Sequence, residues 1–343
     1  MQKHTADADA SLVEAQPDGS VQCFACGHRC LVRPGKEGIC RVRFNQGGTL
    51  RVPFGYVAGL ACDPIEKKPF NHVLPGSDIL TFGMLGCDLH CGYCQNWVTS
   101  QALRHPAAGS QFSEVTPEQM VQIALDAGAP AIASSYNEPL ITSEWAAAVF
   151  RLAKSRGLKC AYISNGNATP QVLDFLRPVV DAYKVDLKSF NDKRYRELGG
   201  VLDHVVEAIR MLKERRFWVE IVTLLVPTFN DDPDEMKRMA DFLVSVDPLM
   251  PWHITAFHSD FKMQEIRSTR VDDLLNAAQI AVDAGMKYVY LGNAPGRLGD
   301  WENTRCHHCG HTLIRRNGFH VLENQITATG ACPQCGGAIP GLW

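Results

Sequence analysis

Between Ile79 and Leu291 the sequence alternates steadily between short unbroken apolar runs and amphipathic stretches, with turn residues between them. No other feature constrains the fold as much, because apolar strands alternating with helices indicate a parallel sheet covered by helices. The strand-like runs are 79–85, 131–135, 159–164, 182–187, 217–226, 252–257 and 287–291. The helical patterns between them are 117–127, 142–156, 170–177, one within 191–216, 233–245 and 271–284. Thr116-Pro117-Glu118 supplies an N-cap with Pro at the first helical position, and Gly128 and Gly157 supply stops. Six or seven βα units fit a barrel, whole or partial, better than an open sheet, although both are built from the same unit. Either way, functional residues are expected at the C-terminal ends of the strands.

The flanks have a different texture. Residues 18 to about 75 are short strand-like pieces rich in Gly and Pro, and the tail from about Trp301 is rich in Cys, Gly and His. The expected organisation is a disordered N-terminus (1–17), a Cys-rich metal-binding domain (18–75), a partial barrel (76–298) and a ribbon-like domain (299–343). Apolar residues are 45% and charged residues 21% of the 343, ordinary values for a chain with a real core. Against 37 Asp and Glu stand 34 Lys and Arg, a net charge of −3, which argues against a protein that coats nucleic acid or an anionic membrane. Residues 1–17 lack the apolar core of a signal peptide, and no apolar run reaches bilayer length, so a cytoplasmic protein is expected.

Thirteen cysteines, an odd number, then call for an explanation other than disulfides. Eleven fall into three groups: Cys23, Cys26, Cys30 and Cys40; Cys87, Cys91 and Cys94; and Cys306, Cys309, Cys332 and Cys335. Cys62 and Cys160 stand apart and read as packing residues. Cys87-x3-Cys91-x2-Cys94 directly follows the first strand. Three thiolates within eight residues converge on one compact centre, and three soft ligands leave a coordination position open where four would close it. Zinc and an iron–sulfur cluster both suit such ligands.

This loop, with Tyr93 before its last Cys, resembles that of the radical SAM superfamily. The resemblance implies a partial (β/α)6-type TIM barrel radical SAM core. It also implies a [4Fe–4S] cluster on Cys87, Cys91 and Cys94 that binds S-adenosylmethionine (SAM) and generates a 5′-deoxyadenosyl radical for hydrogen abstraction. Ser135-Tyr136-Asn137-Glu138-Pro139 resembles the family's Gly-Gly-Glu-Pro region, with Asn137 and Glu138 as SAM contacts and Glu138 facing the SAM ammonium; the plain alternative is a solvated loop acid. Ile163-Ser164-Asn165-Gly166 is similar to the Thr-Asn-Gly turn of glycyl-radical activating enzymes, which makes Ser164 and Asn165 cofactor contacts or simply a turn. Lys184-Val185-Asp186-Leu187-Lys188 resembles their Asp-Leu-Lys; Asp186 and Lys188 share a strand face, as cofactor contacts or as a structural ion pair. Phe257-His258 resembles their Tyr-His, with His258 a SAM contact or a lone core histidine.

Three further stretches, Asp63-Pro64-Ile65-Glu66-Lys67-Lys68-Pro69, Cys94-Gln95-Asn96-Trp97 and Tyr290-Leu291-Gly292-Asn293-Ala294-Pro295-Gly296, resemble the AmmeMemoRadiSam-system radical SAM enzymes. These are relatives of pyruvate formate-lyase activating enzyme associated with Memo-like and AMMECR-like proteins. The resemblance implies an electron donor of flavodoxin or ferredoxin type, and a protein or small-molecule substrate.

Cys306-x2-Cys309 and Cys332-x2-Cys335 form a zinc-ribbon pattern of four thiolates around a closed site. Arg315 and Arg316 between them are too few to indicate nucleic acid. Cys23, Cys26, Cys30 and Cys40, with His28 as a substitute ligand, suit structural zinc or an auxiliary iron–sulfur cluster, since thiolates alone do not choose the metal. The rival to an enzyme is a zinc-binding scaffold whose ribbon docks a partner.

Overall fold

The alternating middle folds as its pattern dictates. In a computed structural model describing residues 3–109 and 111–343, seven strands follow one another: β1 (Asp78–Gly83), β2 (Ala131–Ser134), β3 (Lys159–Ser164), β4 (Ala182–Asp186), β5 (Trp218–Leu225), β6 (Trp252–Ala256) and β7 (Val289–Gly292). The helices longer than four residues are α1 (Pro117–Asp126), α2 (Ser143–Ser155), α3 (Pro170–Leu176), α4 (Asp192–Glu197), α5 (Leu202–Glu214), α6 (Pro233–Val246) and α7 (Val271–Asp283). Thr116 caps α1 as its sequence requires: its hydroxyl accepts from Gln119 N while the Gln119 side chain accepts from Thr116 N. The single helix expected within 191–216 is two, because Gly199 at φ +83° interrupts it. Among the described residues, no helix is long and apolar enough to cross a membrane.

The chain divides into two compact units. The first holds residues up to Asp63, Asp78–Tyr183 and Tyr195–Phe217. In it β1 pairs with β2 and β2 with β3, all parallel. Ile79, Leu80, Phe82, Ile132, Cys160 and Tyr162 are buried on these strands, so Cys160 is the packing residue that was expected. Cys62, in contrast, is exposed. Gly83 ends β1 where the chain after β2 comes close: a Cβ there would press on Ser135 O and stand 2.8 Å from Tyr136 Cβ.

The same unit contains the amino-terminal segment, and the expectation of disorder over 1–17 does not hold. Thr5–Asp7 pairs antiparallel with Thr49–Pro53, and Val13–Ala15 with Val21–Cys23. Leu12 is fully buried, and Ala8 and Val13 pack on the cluster of Val21, Val32, Leu50 and Val52. A polar composition thus hid three apolar anchors. Met1 and Gln2, also within that expectation, lie outside the described residues.

The second unit holds Pro64–Ser77, Lys184–Arg194 and Trp218–Trp343. Here β5 pairs with β6 and β6 with β7, again parallel. Thr312–Asn317 pairs antiparallel with both Thr304–Arg305 and His320–Asn324. The tail shares one apolar cluster with the barrel: Leu313, Ile314 and Ile339 pack with Tyr288 and with Tyr290 of β7. Residues 64–77 therefore group with the C-terminal half of the chain, and the tail shares a core with β7.

Candidate active site and metal centres

In the first unit the candidate residues gather beyond the C-terminal ends of β1, β2 and β3. Cys87, Cys91 and Cys94 lie on the loop after β1, and none is in a disulfide. Leu89 N donates to Cys87 Sγ at 3.3 Å, and Ser100 Oγ lies 3.2 Å from Cys94 Sγ. Polar hydrogens directed at sulfur suit thiolate ligands. Burial first, then the Asp88 and Glu138 charges, pushes the Cys87 thiol well above its usual range. A bound cation would reverse that balance. Tyr93 is buried between the second and third cysteines. Three soft donors on one loop, with hydrogen bonds to sulfur, fit an iron–sulfur cluster.

Asn137 joins the ends of β1 and β2, because its Oδ1 accepts from Met84 N at 2.9 Å. Glu138 is buried, and its carboxylate reaches the end of β3. Oε1 accepts from Ser164 Oγ at 2.7 Å and from Leu140 N at 3.0 Å, while Oε2 accepts from Asn165 N at 2.7 Å. Burial, reinforced by the Asp88 charge, outweighs these bonds and lifts Glu138 to about 8. Ser164, Asn165 and Glu138 are thus brought together, as the strand-end positions implied. The solvated-acid alternative for Glu138 does not hold.

Sequence reasoning missed Asp88. It is fully buried and accepts from Asn165 Nδ2 at 2.7 Å and from Asn167 Nδ2 at 2.8 Å. His28 Nε2 lies 3.9 Å away on the amino-terminal segment. The available signal was an acid inside the cysteine loop beside a second Asn in Asn165-Gly166-Asn167. Arg104 was also missed; its Nη1 donates to Cys87 O at 2.6 Å and to Leu89 O at 2.9 Å, clamping the loop.

In the second unit Asp186 is ion-paired to Lys184 and lies 3.3 Å from Lys188 Nζ. Burial alone would raise Asp186, but the two ammonium groups outweigh it and hold the carboxyl at about 2. His258 follows β6 and is exposed, so the lone-core-histidine alternative fails. The buried histidine of β6 is His253, five residues earlier. Its Nε2 lies 2.7 Å from Glu220 Oε2. Glu220 also accepts from Trp218 Nε1 and from the backbone of Asn71 and His72, each at 3.0 Å. His72 in turn meets Tyr290 OH and Pro340 O, both at 2.6 Å. Arg316 pairs with Glu66 at 3.4 Å and donates to Asn71 O at 2.8 Å, which makes it a structural cation.

The four ribbon cysteines bring their Sγ atoms within 4.8 Å of one another; Cys306 and Cys335 are 3.6 Å apart, Cys309 and Cys332 3.8 Å. That is the spacing of tetrahedral ligands on one ion.

A family model described as the radical SAM superfamily matches residues 82–243. An uncharacterized protein of Methanocaldococcus jannaschii is 34% identical over 331 residues, covering 96% of this chain and 97% of that protein. The pyruvate formate-lyase-activating enzyme of Staphylococcus aureus is 27% identical over 240 residues, or 65% of this chain and 93% of that enzyme. Among solved structures, a radical SAM methyltransferase from Sphaerobacter thermophilus aligns with a TM-score of 0.48 at 14% identity, covering 90% of this chain and 81% of that one. The family implies SAM and a [4Fe–4S] cluster as cofactors, and the matched span contains the three-cysteine loop and the residues around Glu138. The chain belongs to the radical SAM superfamily of enzymes, as a member similar to pyruvate formate-lyase activating enzymes.

Proposed function

We propose that this protein cleaves SAM reductively and uses the resulting radical on a protein or small-molecule substrate. Cys87, Cys91 and Cys94 hold the [4Fe–4S] cluster. When bound, that cluster supplies the electron that breaks the SAM sulfonium bond, giving the 5′-deoxyadenosyl radical that takes hydrogen from the substrate. Glu138 receives the SAM ammonium, positioned by its bonds to Ser164 and Asn165, while Asn137 holds the loop after β2 against the end of β1. Tyr93 contacts the cofactor from within the cysteine loop, and Asp186, Lys188 and His258 contact the nucleoside or carboxylate. A flavodoxin- or ferredoxin-type donor reduces the cluster, and Memo-like or AMMECR-like proteins are the candidate protein substrates. The ribbon cysteines hold one zinc ion in a structural site.

The observation that carries this reading is the buried carboxylate of Glu138 bonded to the end of β3, in the same unit as an open three-thiol loop. A purely structural scaffold has no need of either, and the superfamily assignment does not favour it. The test is anaerobic reconstitution with iron and sulfide, reduction in the presence of SAM, and quantification of 5′-deoxyadenosine. Production is expected from the native protein and not from a Cys87→Ala variant. Equal production by both would sink the proposal.

A further inference from the structure

Cys23, Cys26, Cys30 and Cys40 are the one cysteine group whose metal the sequence leaves open, and the arrangement of their sulfurs addresses it. Two thiolates bound to one zinc ion, each about 2.3 Å from it, stand at most roughly 4.6 Å apart. The ribbon cysteines meet that limit in the pairs given above. Among the described residues, theirs is the only set of three or more Cys, His, Asp or Glu ligand atoms lying within 4.8 Å of one another. No three of the amino-terminal thiols do so.

These thiols nevertheless converge. Cys23, Cys26 and Cys40 are each 6% exposed, and none of the four is in a disulfide. Cys23 N donates to Cys30 O at 2.9 Å, Arg29 N to Cys26 O at 3.0 Å, and Ile39, the neighbour of Cys40, turns its N–H to Cys30 Sγ, so the backbone folds the four positions onto one another. His28 Nε2 lies 3.9 Å from Asp88 Oδ2 without a hydrogen bond, and the four thiols supply a full donor set without it. Buried thiols facing one region, yet too far apart for one ion, match the span of several metal ions. The loop of Cys87, Cys91 and Cys94 provides an internal comparison. It too stands outside the single-ion set, and its family implies a four-iron cluster.

The surroundings agree. Arg43, buried, directs Nη1 at Cys23 Sγ at 3.6 Å, and Ile39 N donates to Cys30 Sγ at 3.5 Å. A cation and a backbone N–H aimed at thiolates offset the negative charge of an all-thiolate cluster and set its potential. From this geometry we infer that Cys23, Cys26, Cys30 and Cys40 hold a second iron–sulfur cluster of the [4Fe–4S] class, not a zinc ion.

The test uses the full chain, reconstituted anaerobically with iron and sulfide, and reads iron, zinc and acid-labile sulfide per chain. About eight irons and one zinc are expected in the native protein. A Cys87→Ser/Cys91→Ser/Cys94→Ser variant should keep about four irons with matching sulfide. It should also give, on reduction, a paramagnetic signal unchanged by SAM. A Cys23→Ser/Cys26→Ser variant should lose half the iron. If the triple variant lacks acid-labile sulfide, the proposal is overturned. Sulfide in that variant does not depend on SAM cleavage, so failure here and failure of the proposed activity are distinguishable.

Discussion

Asn165 donates its side-chain N–H to Asp88 Oδ1 at 2.7 Å, tying the loop that carries the three central cysteines to the end of β3. Asn167 makes the matching bond to the other oxygen of the same carboxylate. Substituting Asp88 by Ala therefore leaves two buried donors unsatisfied. Each costs about 1–3 kcal/mol, so a loss of roughly 2–6 kcal/mol in urea unfolding of the metal-loaded protein is expected. A loss within 0.5 kcal/mol, about the size of an ordinary surface substitution, would mean that the two bonds hold nothing in place.

The proposed role of Glu138 as the partner of the SAM ammonium predicts that SAM binding is proton-linked. With its carboxyl at about 8, the ligand-free protein is mostly protonated there at neutral pH, whereas an ammonium partner requires the carboxylate. Affinity for SAM is expected to rise with pH and to level off above about 8. Calorimetry near pH 7 in buffers of different ionisation enthalpy should register nearly one proton released per SAM bound. For the ligand-free fold the sign is opposite. The folded state holds this proton more tightly than the unfolded chain, whose value is 4.5, so the contribution is most favourable below pH 4.5 and is lost as pH climbs toward 8. A Glu138→Gln variant should weaken SAM binding by about tenfold to a hundredfold and keep its iron content.

His72 is expected to make the fold acid-sensitive. Burial lowers its pKa from 6.5 to about 4, against the opposing pull of the Glu220 charge. A base with a depressed folded value contributes stability above its unfolded value, and that contribution is lost as pH falls from 6.5 toward 4. The full effect is roughly 3 kcal/mol. Denaturation curves at several pH values should show this slope, and a His72→Gln variant should flatten it. An unchanged slope would assign the acid sensitivity elsewhere.

The ribbon cysteines are expected to stabilise more than the tail. Leu313, Ile314 and Ile339 share a cluster with Tyr288 and Tyr290, and Tyr290 OH also bonds Thr304 Oγ1 at 2.9 Å. A Cys309→Ser/Cys335→Ser variant should lose one zinc per chain, leave the iron unchanged, and expose the tyrosine cluster to proteases near residue 300. Zinc retained in that variant would move the metal to another site.

The barrel was legible because its signal is local. Each strand announces itself by an unbroken apolar run, and each cap, such as Thr116 with Gln119, lies within one turn of its helix. The cysteines stood out for a similar reason, since each loop or knuckle repeats the residue within a few positions, although Cys309 and Cys332, 23 positions apart, meet only in the fold. Asp88 and the network of His72, Glu220, His253 and Tyr290 were not legible, since they are assembled by folding. The bond from His72 N to Glu220 Oε1 spans 148 positions, and no local pattern distinguishes it from two unrelated polar residues. The histidines of β6 and the residues after it illustrate the point: a family-like pair drew attention to exposed His258, while His253 within the strand makes the buried contact.

Arg43 depends on partners that the ribosome delivers late. Its guanidinium pairs with Glu144 and donates to Ile141 O at 2.9 Å, contacts 101 and 98 positions further along the chain. At about 5–20 residues per second of synthesis, that is a wait of roughly 5–20 s. Throughout this interval the first four cysteines have left the tunnel while the buried arginine beside Cys23 still lacks its counter-charge. The amino-terminal segment is thus born first and finished second, and its thiols spend that time open to oxidants and to any metal the cell has free.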